Sequence, residues 1–230
     1  MRRELLLLDV TEMSGSNVCV AGIEPTTCTQ FRLADPTPTQ AVLRRLGGLQ
    51  PGDVIEVDID PLRRPVAPHV EDARWNPTTV QRLRTLTNDQ IHATVSRCSF
   101  RSVVAAFGEP SRRAIGRNSA WPPNGGERSL ATLRVRYVRF DLDKNDHVRV
   151  AFKDADDGYY QSVPFQDLRL KTHQCDGCDT NLLHVVKREF EMNAGLVRIG
   201  LTRPFAPDKG EAACWLQVTN IFARDRQHFV

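Results

Sequence analysis

No stretch of this 230-residue chain approaches the ~20 consecutive apolar residues that cross a bilayer. The basic start Arg2-Arg3 leads into only four leucines before Asp9, short of the ~7–15 apolar residues of a secretory signal. A cytoplasmic location is therefore expected, with no membrane partner. Catalytic signatures are missing too: the chain has no Gly-rich phosphate loop, no His-Glu-x-x-His and no Gly-x-Ser-x-Gly. Gly47-Gly48 and Gly125-Gly126 read as turns. The six cysteines follow no regular spacing, and without an export signal they are expected as reduced thiols. Lysine is scarce: only five of the 31 basic residues are Lys. Arginine forks bind phosphate at two points and stack on bases, which lysine does not. A GC-rich genome would give the same bias without any function.

A net charge of +3 forces no nucleic-acid partner. A charged fraction of 26% and a hydrophobic fraction of 40% suit a globular chain rather than a disordered one. Fourteen Gly and fourteen Pro, spread along the sequence, supply turns between many short strands.

Strand patterns recur at residues 5–8, 17–23, 29–33 and 54–59, and again at 130–140, 147–152, 159–163, 196–201 and 215–222. Residues 39–46 carry helical spacing, with Thr37 or Thr39 as cap and Gly47-Gly48 as stop. Asn76-Pro77 predicts a second short helix to about Leu86, and 180–193 has helical character. Residues 60–75 read as an extended wrapping segment, and 99–107 fit strand or helix equally. The Pro-, Gly- and Arg-rich stretch 108–128 reads as a linker. Pattern alone gives a mainly β chain of two small β-barrels or sandwiches with short connecting helices, 1–107, the linker 108–128, and 129–230; about five strands and a short helix in each half also suit two OB-like small β-barrels.

Three constellations carry chemistry. His173-x-Cys175-x-x-Cys178-x5-His184 holds four ligands at a spacing zinc sites use, a candidate structural zinc set. Small buried hydrophobic thiols are the competing reading. No other cofactor is expected. Pro68-His69-Val70-Glu71-Asp72 sets an imidazole beside two carboxylates, yet no nucleophile or metal accompanies it, so a structural clasp fits better than acid–base catalysis. Finally Arg32, Arg63, Arg64, His69, Arg101, Arg112, Arg113, Arg117, Trp121, Arg134, Arg136, Tyr137 and Arg203 form a candidate nucleic-acid-binding set, with Arg139 and Trp75 beside them. Single-strand binders combine such cations with aromatic platforms. A solvated outer face balanced by Asp141, Asp143 and Asp146 is the alternative.

Three segments of the first half form one pattern: Cys19-Val20-Ala21-Gly22-Ile23 with Arg32 and the preceding Phe31, Gly52-Asp53-Val54-Ile55-Glu56-Val57, and Pro68-His69-Val70-Glu71-Asp72. Nearer the C-terminus stand Val163-Pro164-Phe165-Gln166-Asp167, Gly200-Leu201-Thr202-Arg203-Pro204-Phe205, and Trp215-Leu216-Gln217-Val218-Thr219-Asn220-Ile221. Together these segments resemble a bacterial dual-OB domain family found in proteins linked to conflict and phage defence, which commonly has Asn where Asp72 stands. The resemblance skips residues 76–128. It implies two OB barrels that bind nucleic acid or a nucleotide-like ligand, and no catalytic residue.

The expectation is thus a non-catalytic module that recognises single-stranded DNA or RNA as a sensor or targeting subunit of a defence system. The alternatives are a subunit docking onto an effector such as a helicase or nuclease, and a zinc-dependent enzyme. Metal analysis of the purified protein separates the last from the rest: an enzyme built on Cys175 and Cys178 requires one zinc per chain, and a metal-free protein removes it.

Overall fold

The structure, a computed structural model, describes residues 1–111, 118–167, 187, 191, 194–206 and 211–222. The first half contains β1 (Arg2–Glu12), β2 (Val18–Ile23), β3 (Gln30–Asp35), α1 (Gln40–Arg45), β4 (Asp53–Pro61), β5 (Asp72–Trp75) and β6 (Gln81–Thr85). Next come α2 (Asn88–Ser96), α3 (Val103–Phe107), β7 (Ala120–Trp121), β8 (Leu130–Leu142), β9 (Val148–Asp154), β10 (Tyr159–Pro164), β11 (Gly195–Leu201) and β12 (Cys214–Phe222). No described helix is long and apolar enough to cross a membrane.

The expected pair of OB-like units is present. β1, β2 and β3 pair antiparallel, β5 joins β3 in parallel, β4 follows β5, and β4 returns to β1, closing a five-stranded barrel. The second unit is a half-barrel in the order β10-β9-β8-β11-β12-β7. Alternation drives both. In β8, Leu133, Val135, Val138 and Phe140 turn inward while Arg134, Arg136 and Arg139 face out.

β1 shows why its leucines run unbroken. Leu5 and Leu7 fill the first barrel with Val20, Leu33 and Val57. Leu6 and Leu8 point the other way, into a cluster with Ile91 and Val95 of α2, Leu196 of β11 and Phe222 of β12. A strand buried on both faces reads as continuous rather than alternating hydrophobicity. β1 is therefore the wall the two units share. Gly22 on β2 makes the tight pairing with β1 possible, since a Cβ there would lie 2.3 Å from the Leu6 carbonyl oxygen.

Four differences from the sequence reading have local causes. Residues 76–86 form a turn and then β6, not a helix. Asn76 Oδ1 accepts from the Thr78 N–H at 3.0 Å, and residues 81–85 pair with β4, whose backbone groups would otherwise be open. The wrapping segment ends in β5, a barrel strand. Residues 103–107 are helical, and Val103, Ala106 and Phe107 sit in the second core, so the expected boundary after residue 107 falls behind an element of the second unit. The six thiols are not all reduced: Cys28 and Cys98 form a disulfide, while Cys19 and Cys214 are free. The helix expected at 180–193 and the linker residues 112–117 lie outside the described residues.

α2, which the sequence reading passed over, carries a capping box. Thr87 accepts from the Gln90 N–H and the Gln90 side chain accepts from the Thr87 N–H.

The two units meet through a buried ion pair. Arg198, 1% exposed on β11, places Nη2 2.6 Å from Oδ2 of the fully buried Asp9 on β1. Arg198 Nη1 also donates to Gln30 Oε1 at 2.9 Å and Thr132 Oγ1 at 3.2 Å, and Thr219 donates to Asp9 at 2.6 Å. Asn220 donates to the Leu8 carbonyl at 2.8 Å.

Removing one partner strands the other charge away from water. Arg198→Met is expected to lower unfolding stability by about 3–5 kcal/mol, and adding Asp9→Leu should recover most of that loss. Urea unfolding of the single and double variants checks this; a double variant no better than the single one contradicts it.

Candidate nucleic-acid interface

The sequence-predicted cations separate into two groups. The first closes the seam between the units. Arg32 on β3 donates through Nη2 to Ser129 Oγ at 2.6 Å and through Nη1 to Asp72 at 3.1 Å and His69 Nδ1 at 3.0 Å. Glu71 accepts from the Ser129 N–H, the Ser129 hydroxyl and the Leu130 N–H, at 2.7, 3.0 and 3.1 Å. Arg203, from the β11–β12 connection, reaches back to Asp72 Oδ2 at 2.6 Å. Arg32 and His69 are buried, which removes them from any ligand surface. They tie first-unit residues to Ser129 at the head of β8.

His69 accepts from a guanidinium, which fixes its ring as neutral. Burial first, and then the nearby Arg32 and Arg203 charges, hold its pKa down to about 3. At physiological pH the ring therefore carries no charge. The clasp reading of residues 68–72 fits this geometry.

Trp121 lies in the second core, 3% exposed, with Nε1 donating to the Gly108 carbonyl at 3.0 Å, so it offers no stacking platform. Trp75 is buried in the first core. Arg112, Arg113, Arg117, His173, Cys175, Cys178 and His184 lie outside the described residues. Among the described residues no group of His, Cys, Asp and Glu could hold a metal ion.

The second group is exposed. Arg63 and Arg64 stand on the loop between β4 and β5. Arg101 pairs with Asp156 at 2.9 Å, and Arg134 donates to Ser99 Oγ and the Ser96 carbonyl. Arg136 pairs with Asp157 at 2.9 Å. Tyr137, next along β8, is the centre of a row that the strand register assembles. It sits opposite Lys153 on β9, which sits opposite Tyr159 on β10. The two tyrosine rings are 6.3 Å apart, and the Arg139 guanidinium lies 5.6 Å from the Tyr137 ring centre. Tyr159 is 46% exposed. Burial, then the neighbouring Tyr159, raises the Tyr137 pKa, so its hydroxyl stays protonated at neutral pH.

Asp157 trims the positive charge of this row. Its carboxylate is held below the usual range by the hydrogen bond from Lys153, with Arg136 adding its charge. At the far end of the face, burial pushes Asp143 up, but Arg149 and the backbone N–H groups of Asn145 and His147 outweigh it and hold the carboxyl low. Arg139 has no carboxylate partner among the described residues.

Sequence reasoning found Arg134, Arg136 and Tyr137 but missed Lys153 and Tyr159. The turn Asp156-Asp157-Gly158 marked where β10 begins. Only the register shows that Lys153 and Tyr159 lie beside Tyr137.

Comparison with known proteins gives a match to the family model described as "Dual OB-containing domain" over residues 4–221. A solved structure of a murine DNA-binding protein bound with double-stranded DNA aligns with 95% of this chain and 92% of its own, at 13% identity and a TM-score of 0.31, below the range in which two chains share a fold. No curated protein matches the chain.

The clasp predicts a pH dependence. The His69 pKa is lower folded than unfolded, so the unfolded state takes up the proton first, and stability present above pH ~6.5 is lost as pH falls toward 3. The slope from this residue is at most about 1.4 kcal/mol per pH unit. Urea unfolding at pH 7, 6 and 5 should show a decline that His69→Gln flattens; equal slopes in both proteins would refute the assignment.

Proposed function

The chain belongs to the dual OB-containing domain family, and on that premise we propose that it is a non-catalytic module that holds single-stranded nucleic acid on the outer face of its second unit. The observation that carries this reading is the row Tyr137–Lys153–Tyr159 with Arg139 over one ring. OB sheets bind oligonucleotides across their strand face. Aromatic side chains there stack on bases, and flanking cations meet the backbone. Tyrosine rings standing on a sheet face reach the faces of bases only where those bases are unpaired, which favours a single strand over a duplex. The absence of catalysis is supported by His69, whose neutral ring is bound to Arg32 within the clasp.

Few free cations lie along the row, so stacking rather than counterion release supplies most of the affinity. Each phosphate contact contributes a salt slope of only about −0.7 for a single strand. Fluorescence anisotropy with labelled single-stranded DNA, RNA and duplex at low and moderate salt is the test. Tyr137→Ala or Tyr159→Ala is expected to weaken single-strand binding about 5–150-fold, the equivalent of one stack at ~1–3 kcal/mol. Flat curves with all three nucleic acids at low salt would overturn the reading.

A second reading, docking onto an effector protein, draws on β6. All five residues of this strand are exposed, and β4 is its one strand neighbour among the described residues. An open edge is a template for a partner strand. A role as sensor or targeting subunit in bacterial defence rests on the family resemblance, and the genes adjacent to this one would test it.

A further inference from the structure

Away from the tyrosine row, the connection from β11 to β12 presents a second aromatic pair. Phe205 is 48% exposed, and its ring centre lies 6.2 Å from that of the half-buried Trp215, with the planes at 42°. Packing does not account for it, because the second core is filled by other side chains and neither ring belongs to it. Backbone bonds hold the pair in place. Phe205 and Ala213 exchange N–H···O bonds of 3.1 Å, Trp215 and Thr202 bond through the Thr202 N–H and hydroxyl at 2.9 Å, and Trp215 Nε1 donates to the Phe205 carbonyl at 3.3 Å. An exposed aromatic pair fixed in this way loses little side-chain freedom when a ligand stacks on it.

Cations from both units come together at Asp72, where this connection begins. Arg203, two residues before Phe205, spends one edge of its guanidinium on Asp72 and leaves about half of its side chain in solvent. The Asp72 carbonyl accepts from the Leu62 N–H at 3.1 Å, which brings the start of the β4–β5 loop alongside. Arg63 and Arg64 follow on that loop, exposed and without a carboxylate partner among the described residues. Asp72, the acid that holds Arg203, is 6% exposed and already shared between Arg32 and Arg203. Arg63, Arg64 and the free edge of Arg203 therefore face solvent, with the exposed acids Asp60 and Glu211 farther along the same segments.

We propose that Phe205 and Trp215, with Arg63, Arg64 and Arg203, form a second nucleobase-stacking subsite that straddles the seam between the two units. The inference deepens the single-strand reading and rests on it. A base stacks on the Trp215–Phe205 pair while its phosphates meet the arginines, Arg203 from the second unit and Arg63 and Arg64 from the first. The clasp then has a role in recognition, because it fixes the distance between the aromatic half of the subsite and its cationic half.

Tryptophan emission tests this directly. The chain has three Trp, and Trp75 and Trp121 are only 4% and 3% exposed, so contact quenching by an oligonucleotide reports on Trp215. Titrating the full chain with unlabelled oligo-dT is expected to give saturable quenching that Trp215→Phe abolishes. In parallel anisotropy titrations, Phe205→Ala should weaken binding about 5–150-fold, and Arg63→Gln/Arg64→Gln should weaken it and flatten its salt dependence. Binding by anisotropy with unchanged Trp emission, or with Phe205→Ala binding as tightly as the parent, overturns the seam subsite and leaves the tyrosine-row reading standing. No anisotropy change with any oligonucleotide overturns both. Circular dichroism melting of each variant separates lost contact from lost fold.

Discussion

Asp9 on β1 has no contact with solvent, and its carboxylate is held by Arg198 from the other unit and by the hydroxyl of Thr219. A buried pair of this kind adds little net stability, because desolvation offsets most of the attraction. It does restrict the geometry. A docking that kept both charges buried but apart would cost several kcal/mol. The apolar cluster of Leu6, Leu8, Leu196 and Phe222 around the pair supplies adhesion without direction. The ion pair supplies the direction. Two OB-like units that could have been joined loosely are thereby fixed as one body.

The second clasp, Arg32–His69–Asp72 with Glu71 and Ser129, adjoins the ion pair: Gln30, which accepts from Arg198, donates to the Leu130 carbonyl, and the Leu130 N–H donates to Glu71. It also gives a physical meaning to the family pattern. Arg32, the Pro-His-Val-Glu-Asp stretch and Arg203 come from segments up to 171 residues apart in the chain, yet all meet at the seam. Thr219 and Asn220 of the closing pattern meet β1 through Asp9 and Leu8. These residues join the units.

Between the units lies a cavity of about 210 Å³, lined among others by Gln30, Phe100, Arg128 and Thr132, with the Cys28–Cys98 disulfide in its wall. The disulfide ties the β2–β3 turn of the first barrel to the end of α2, the helix that packs against the cluster at the seam. It acts on the same joint as the ion pair. Pairing two half-exposed thiols across a sequence separation of 70 was not visible in spacing that followed no pattern.

Local pattern was enough for most strands of both units, though not for β5 or β7, and for α1, whose Thr39 cap and glycine stop are contained in the residues themselves. β6 escaped it, because Asn76-Pro77 opens a turn as readily as a helix and only the open edge of β4 decides between them. The candidate site was half legible. The alternation of β8 showed that Arg134 and Arg136 share a face, but their neighbours on β9 and β10 depend on register, which no single strand encodes. Burial was the least legible property. Arg32 and Arg63 look alike as letters, yet one is locked inside a seam and the other stands in water. Sequence alone determined two small β units, their order and the residues available for binding. Tertiary structure decided which arginines are spent holding the units together, because a buried charge needs a partner and those partners lie far away in the chain.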